Sequence, residues 1–204
     1  MTDRSDKTRE AVKQALVGLM RRFPYESITV KQIVAESGVG RSTLYAYFEG
    51  KDELLAVVER ELLEELGLYC SSGSSSPTRN AFDGMRAWFD ACYERGRTLQ
   101  VLTGPNGDPR FEGRLVRKVS RELHDMMSDE GVPNDRFRPY FEEMLGRSYV
   151  GLALYAVRQP EGDRLDSLSL AKIANHTRVA FFREHRASPR LSDEALFGEA
   201  GEIF

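Results

Sequence analysis

Two short helix patterns joined by a glycine turn lie within "ITVKQIVAESGVGRSTLYAYFEGKDELL", residues 28–55. Thr29 and Gln32 have the spacing of a capping box at the start of the first helix. Gly38 suits the left-handed position that ends that helix, and the second helix then runs to about Phe48. This arrangement is typical of the helix-turn-helix unit, although ordinary helical bundles also contain such pairs.

Side-chain chemistry divides the second helix of this pair into two faces. Leu44 and Phe48 are spaced to pack on a core, whereas the opposite face carries hydroxyl, guanidinium and phenol groups. Such groups donate hydrogen bonds, which phosphate oxygens and guanine edges accept. The donors are Arg41, Ser42 and Tyr45, with Thr43 and Tyr47 to one side. Their presence favours a DNA-binding role over a place in an ordinary bundle.

Helical periodicity continues on both sides of this unit. It predicts an amphipathic helix over 6–23 that ends before Pro24, and a fourth helix from about 51 to 69. Further helices are predicted at about 78–98, 109–130, 134–158 and 166–186. Strand-type alternation is nearly absent, so the expected fold is all-α, with a three-helix helix-turn-helix domain followed by a helical bundle.

The domain boundaries follow from composition. The serine-rich segment "CSSGSSSPT", residues 70–78, is flexible and polar and predicts a boundary or long loop. We therefore expect a DNA-binding domain with its connecting helix at 1–69 and a ligand-binding and dimerisation domain at 70–187. Residues 188–204 form a tail, either frayed or docked through Leu196, Phe197 and Phe204.

Overall composition points to a cytoplasmic protein. Of the 204 residues, 41% are hydrophobic and 30% are charged, and no run of 18 apolar residues would form a transmembrane helix. The charged N-terminus lacks the apolar core of a secretory signal, and two cysteines are too few for a disulfide scaffold. The net charge is −3, but residues 1–51 hold nine basic and six acidic side chains. This distribution is compatible with a nucleic-acid partner at the N-terminal end.

The sequence of residues 28–55 resembles the DNA-binding domain of the TetR family of transcriptional regulators. The resemblance rests on the threonine that opens the first helix, the small-residue-Gly-Val turn, "TLYAYF", and the Lys-x-Glu-Leu-Leu sequence that follows. It implies an all-helical C-terminal domain that dimerises and binds a small effector. It also implies a protein without catalysis, and we expect no cofactor.

The family resemblance carries specific DNA-contact roles to nine positions of this sequence: Thr29, Lys31, Gly40, Arg41, Ser42, Thr43, Tyr45, Tyr47 and Lys51. Arg41 is the expected reader of a guanine, because glycine at position 40 removes one possible base contact. Thr43, Tyr47 and Lys51 match phosphate clamps of the family. Lys51 also stands at the start of the fourth helix, where free amides would join it on one phosphate.

The remainder of the chain shows no catalytic or metal-binding pattern. His124, His176 and His185 are not at metal-ligand spacing, and no serine or cysteine stands in a recognisable nucleophile setting. "GPNGDPRF", residues 104–111, lacks the Gly-Lys-Ser/Thr ending of a phosphate loop, which favours an interhelical loop. An α-helical enzyme is therefore the third choice among the functional classes.

A weaker resemblance covers "LQVLTGPNGDPRFEGRL" and "YVGLALYAV", which are similar to the C-terminal domain of a TetR subgroup. That subgroup includes regulators related to the control of dihydroxyacetone kinase operons. Some of its members respond through a protein partner, so a regulator that signals through a protein instead of a small ligand is the alternative.

Aromatic and thioether side chains on neighbouring helices predict an effector pocket, although for any single one of them a place in the core is the favoured interpretation. The set is Met85, Trp88, Phe89, Tyr93, Leu102, Phe111, Phe137, Tyr140, Phe141, Met144 and Arg147. The last two long helices are the expected dimer interface, through Gly151, Leu152, Tyr155, Ile173, Thr177, Ala180 and Phe181. Together these assignments predict a homodimeric repressor that binds a palindromic double-stranded DNA operator and is released by an unknown effector.

Overall fold

The protein consists of helices joined by short connections in this computed structural model, which describes residues 2–67 and 81–187. No strand occurs in those two ranges, in agreement with the all-α prediction. The helices are α1 (Thr2–Met20), α2 (Val30–Ser37), α3 (Arg41–Tyr47), α4 (Lys51–Glu65), α5 (Ala81–Glu94), α6 (Gly96–Leu102), α7 (Phe111–Asp129), α8 (Arg138–Arg158) and α9 (Ser167–Ala187). A single 3₁₀ turn, Tyr25–Ser27, lies between α1 and α2. The serine-rich segment and the tail predicted at 188–204 lie outside the described residues.

Local signals place the α2-turn-α3 unit as the sequence predicts. The Thr29 side chain accepts a hydrogen bond from the Gln32 amide, and the Gln32 side chain accepts one from the Thr29 amide. Gly38 adopts φ 68° and ψ 10°, which is the left-handed conformation that ends α2. The capping box and the glycine turn are therefore both confirmed.

Two helix ends in the N-terminal region differ from the sequence prediction. α1 ends at Met20 instead of residue 23, because the amides of Arg22 and Phe23 both turn back to the Leu19 carbonyl before Pro24. α4 ends at Glu65 instead of about 69. Leu66 leaves the helical conformation with φ −86° and ψ 47°, and its carbonyl accepts a hydrogen bond from the Trp88 indole at 3.1 Å.

A break at Arg95 divides the single helix predicted at 78–98. Arg95 has φ −96° and ψ 10°, so the chain leaves the helical conformation for one residue between α5 and α6. The hydrogen bonds from Arg95 to Ala91 and from Leu99 to Arg95 persist, so the break is a bend. A β-carbon on Gly96 would lie 3.8 Å from Val157, an ordinary van der Waals distance, so the bend packs beside α8.

The interior of the second half of the chain is formed by the apolar faces of α5, α7, α8 and α9. Trp88 and Phe89 are fully buried and meet edge to face, with ring centroids 5.0 Å apart. Tyr149 of α8 is buried and donates a hydrogen bond to the Ala174 carbonyl of α9 at 3.1 Å. Within the described ranges, no helix has the length and apolar composition needed to cross a membrane.

The loop at 104–109 connects α6 and α7 and touches the N-terminal unit. The Tyr25 amide donates a hydrogen bond to the Asn106 carbonyl at 3.2 Å. Gly107 lies so close to the end of α6 that a β-carbon would stand 2.3 Å from the Leu102 carbonyl oxygen. The predicted interhelical loop is therefore also a contact between the two halves of the chain.

Lys51, at the start of α4, binds the backbone in and just after the 3₁₀ turn. Its ammonium donates hydrogen bonds to the carbonyls of Tyr25 and Glu26 at 3.2 Å and of Ile28 at 3.0 Å. The same ammonium lies 4.5 Å from the centre of the Tyr25 ring. Three donors are thus matched to three carbonyls, which fixes the turn that leads into α2.

Gly38→Ala should lower the free energy of unfolding by about 1–2 kcal/mol, because alanine is strained in the left-handed conformation. Gly18→Ala is the matched control. Gly18 lies inside α1, and an added β-carbon meets only the Glu36 carboxylate at 3.8 Å, so alanine should raise stability by up to about 1 kcal/mol. Urea unfolding measures both variants, and changes of the same sign would contradict the assignment.

Lys51→Met should lower the free energy of unfolding by about 1–2 kcal/mol, because three carbonyls lose a charged donor. Lys31→Met provides the control, since Lys31 is exposed on α2, and its effect should stay within about 0.5 kcal/mol. Urea unfolding of both variants gives the comparison. Equal stability of the two variants would show that the Lys51 contacts contribute nothing.

Candidate nucleic-acid interface

The buried side of α3 fixes this seven-residue helix on the N-terminal core. Leu44 and Phe48 are 1% and 2% exposed, and α3 packs against both α1 and α2. Ile33 of α2 is fully buried in the same cluster. A helix this short is not stable alone, so its orientation depends on this packing.

The opposite side of α3 presents three polar side chains to solvent. Arg41, Ser42 and Tyr45 are exposed, and Tyr45 retains 44% of its accessible surface. The Arg41 guanidinium lies 5.7 Å from the centre of the Tyr45 ring, within the range of a cation–π contact. One guanidinium, one hydroxyl and one phenol therefore lie on the same exposed side of α3.

The two tyrosines of α3 occupy different environments. Tyr47 is half-buried and packs against the core, as Thr43 is half-buried at the edge of the helix. The sequence pattern places both tyrosines away from the core. In a short helix, the order of polar and apolar residues does not show how much of each flanking side chain neighbouring helices bury. Tyr45 is therefore the more exposed of the two tyrosines.

Residues before α3 add further exposed groups to this surface. Thr29, Lys31 and Gly40 are all exposed. The Thr29 hydroxyl is engaged in the α2 capping box, where it lies 2.8 Å from the Gln32 side-chain oxygen. Neither Lys31 nor Arg41 forms an ion pair within the described part of the chain, which leaves both cations available to an anionic partner.

Lys51 differs from the other predicted DNA contacts. Lys51 is half-buried, and its ammonium binds the carbonyls of Tyr25 and Glu26 in the 3₁₀ turn and of Ile28 just after it. It therefore has an internal role that the sequence did not reveal. Those carbonyls lie 23 to 26 residues earlier in the chain. No local pattern around Lys51 points to them.

Residues predicted to line an effector pocket fall into three settings. Met85, Trp88, Phe89, Leu102 and Phe111 are buried in the core. Tyr93, Phe137 and Phe141 are half-buried, while Tyr140, Met144 and Arg147 are exposed on α8. The structure thus brings the first group together and places the last group on the outer surface.

Most of the predicted dimer residues are exposed on α8 and α9. Gly151, Tyr155, Ile173, Thr177 and Ala180 are exposed, and Leu152 is half-buried. Tyr155 retains 66% of its accessible surface and Ile173 retains 47%. The side chain of Phe181 lies outside the described residues.

A basic cleft between α4 and α7 was not predicted from the sequence. It is lined by Arg60 of α4 and by Arg114, Arg117, Lys118 and Arg121 of α7. The signal was visible, since the α7 cations are spaced by three and four residues and so share one helix face. Only the opposition of α4 to α7 turns that face into a cleft.

Comparison with known proteins adds a family match at the N-terminal end. Residues 14–58 match the profile of bacterial regulatory proteins, tetR family. No curated protein matches the chain. The matched residues run from α1 into α4 and include the whole of α2 and α3.

Several solved structures have a similar fold. A TetR transcriptional regulator from Streptococcus agalactiae 2603V has a TM-score of 0.61 and 19% identity, over 85% of this chain and 94% of its own. The dihydroxyacetone kinase operon activator DhaS has a TM-score of 0.63 and 18% identity, over 86% of this chain and 96% of its own. A putative transcriptional regulator from Pseudomonas aeruginosa PAO1 has a TM-score of 0.61 and 15% identity, over 89% of this chain and 93% of its own. At these identities the similarity establishes the fold.

The profile match at 14–58 covers the helix-turn-helix unit, and the similar solved structures cover most of the chain. Both findings agree with the helix order described above. Residues 14–58 therefore match the tetR family of bacterial regulatory proteins, in a chain that has the fold of TetR-type transcriptional regulators.

Proposed function

We propose that the protein is a homodimeric DNA-binding regulator that represses transcription from a palindromic operator and responds to an effector. The observation that carries this proposal is the exposed set Arg41, Ser42 and Tyr45 on a helix fixed by Leu44 and Phe48. Two such helices related by a two-fold axis would enter successive major grooves of one operator. Residues 1–69 would form the DNA-binding domain with its connecting helix, and residues 70–187 the effector and dimerisation domain.

Within this proposal the exposed groups have different tasks. Arg41 would read a guanine through its two parallel N–H donors, supported by the Tyr45 ring beside it. Ser42 and Tyr45 would contact bases or phosphates nearby. Lys31, Thr43 and the Tyr47 hydroxyl would bind the phosphate backbone at the rim, and Thr29 would position α2 against it.

The sign of regulation is not a property of this fold. DhaS is named as an activator, whereas repression follows when an operator overlaps its promoter. We propose repression for this chain. A reporter fused to the upstream region of the gene would rise on deletion of the regulator if the protein is a repressor, and would fall if it is an activator.

Dimerisation would use the outer surface of α8 and α9, which we call the α8–α9 face and define by Tyr140, Met144, Gly151, Tyr155, Ile173 and Thr177. Its large apolar side chains are exposed in the single chain, which is the property of a surface that a partner covers. A β-carbon added at Gly151 would meet no atom within 4 Å, so a partner helix can approach closely there. The hydrogen bond from Tyr149 to Ala174 holds the two helices side by side.

The alternative is a regulator that signals through a protein partner. The burial of five predicted pocket residues in the core favours it over an effector held among those side chains. Under this alternative, a protein would co-purify with the chain and alter its DNA affinity. The predicted pocket itself remains a prediction.

Arg41→Ala should weaken binding to the upstream DNA by about 1–3 kcal/mol and relax specificity at one base pair, because a guanidinium reads a single guanine. Tyr47→Phe should weaken all sequences similarly, since only a phosphate contact is lost. Fluorescence anisotropy with upstream and scrambled duplexes measures both variants at fixed salt.

Arg97→Ala is the control for these DNA measurements, because Arg97 is exposed on α6 and should leave both affinities unchanged. Equal losses for Arg41→Ala on upstream and scrambled DNA would rule out base reading by Arg41. A wild-type protein that does not distinguish the two duplexes would contradict the proposed function as a whole.

Tyr155→Asp and Ile173→Asp should each raise the dimer dissociation constant at least about tenfold, because a carboxylate would be buried without a partner in an apolar interface. Phe23→Asp is the control, since Phe23 is an exposed aromatic residue after α1, away from the α8–α9 face. Sedimentation velocity reports the oligomeric state. Dimers of unchanged affinity in both α8–α9 variants would place the interface elsewhere.

A further inference from the structure

The basic cleft has the dimensions of a small-molecule site. It is an open depression of about 640 Å³ between α4 and α7. Ligand clefts in proteins commonly occupy about 300–1,000 Å³. Its volume and concave shape therefore suit a compact ligand better than the rod-like surface of a duplex.

Positive charge dominates the lining of this cleft. Five lining residues are cations, namely Arg60, Arg114, Arg117, Lys118 and Arg121, and two are carboxylates. The whole chain, by contrast, has a net charge of −3. Like charges three and four residues apart on one helix repel each other, so α7 bears an electrostatic cost that a bound anion would relieve.

Three of the five cations lack an internal partner. Arg114 pairs with Glu59 at 2.6 Å and with Asp108 at 3.1 Å, and Lys118 pairs with Glu122. Arg60, Arg117 and Arg121 form no hydrogen bond or ion pair with any residue in the described ranges. Their guanidinium groups can therefore bind a carboxylate or phosphate without breaking an existing contact.

Glu59, in the wall of the cleft, has a carboxylate oxygen that lacks a hydrogen-bond partner in the part of the chain that the structure describes. It is 7% exposed, and its Oε1 has no hydrogen-bond partner among the described residues. Burial raises the pKa of its carboxyl group, against the lowering effect of Arg114. Buried carboxylate oxygens are normally hydrogen-bonded, so a ligand that also carries a hydroxyl donor would complete this wall.

We propose that the cleft between α4 and α7 binds a small polyanion, of the class of phosphate esters or polycarboxylates, and that this anion is the effector. The assignment of this anion as the effector rests on the proposed function. Guanidinium groups match the geometry of carboxylate and phosphate oxygens, which explains why arginine supplies four of the five cations. An anion bound by Arg60 and Arg117 would connect α4, which continues from the DNA-binding unit, to α7 in the body.

Inorganic pyrophosphate and citrate are suitable probes for calorimetry with the full-length protein at constant ionic strength. We expect at least one of them to bind saturably to the wild type. The double variant Arg117→Gln/Arg121→Gln should lower that affinity at least about tenfold, since two charged donors are lost. Arg97→Gln, an exposed arginine on α6, should change it less than about twofold.

Folding is not expected to limit this test, because Arg117 and Arg121 are exposed. Equal melting temperatures of the double variant and the wild type would verify that both are folded. Failure of both probes to bind the wild type more tightly than the double variant would overturn the proposal. An equal loss of affinity in Arg97→Gln would do so too, because it would indicate unspecific attraction.

DNA binding without any probe separates this proposal from the proposed function. The double variant should bind upstream DNA as the wild type does, and the probe should alter the DNA affinity of the wild type only. Weaker DNA binding by the double variant in the absence of probe would identify the cleft as a DNA contact and overturn the anion site. Intact probe binding in a protein that does not recognise upstream DNA would instead refute the proposed function.

Discussion

The burial of α4 on two sides is the constraint on which the rest of the structure depends. α4 packs against α1 in the N-terminal unit and against α6 and α7 in the body. Its apolar side chains are buried, namely Leu54, Leu55, Val58 and Leu62. The helix therefore has few positions that it could adopt without disrupting this packing. Because close-packed interfaces resist small displacements, a movement of α4 relative to either half changes the position of the other.

The polar surface of α3 depends on this packing although it lies outside it. α3 has only seven residues, and Leu44 is its single fully buried side chain within the helix. Its direction is set by its contacts with α1 and α2 and by the turn that Lys51 of α4 holds. Of the two helices, α1 also packs directly against α4. Arg41 and Tyr45 are therefore displayed at an angle that is determined by groups they do not touch.

Local features were predictable from the sequence, and contacts between distant segments were not. Thr29 and Gly38 act through neighbours three to four residues away, so their patterns identified the first turn and the last turn of α2. The bend at Arg95 lies where Gly96 packs beside Val157 of α8, a contact between distant segments, while the apolar periodicity of 78–98 continues across the bend without a signal. Lys51 shows the same limit within the candidate site, because its carbonyl partners lie on a turn more than twenty residues earlier.

The hydrogen bond from the Tyr25 amide to the Asn106 carbonyl has a consequence for how this protein can vary. Both atoms belong to the backbone, so exchange of either side chain leaves the bond in place, and only a change in the path of the chain removes it. That path is fixed at Gly107, where no β-carbon fits against Leu102. Insertion or deletion of one residue between α6 and α7 would thus disturb the N-terminal unit more than most substitutions in the same loop. In related sequences this loop should keep its length and the glycine at position 107, while its other positions vary.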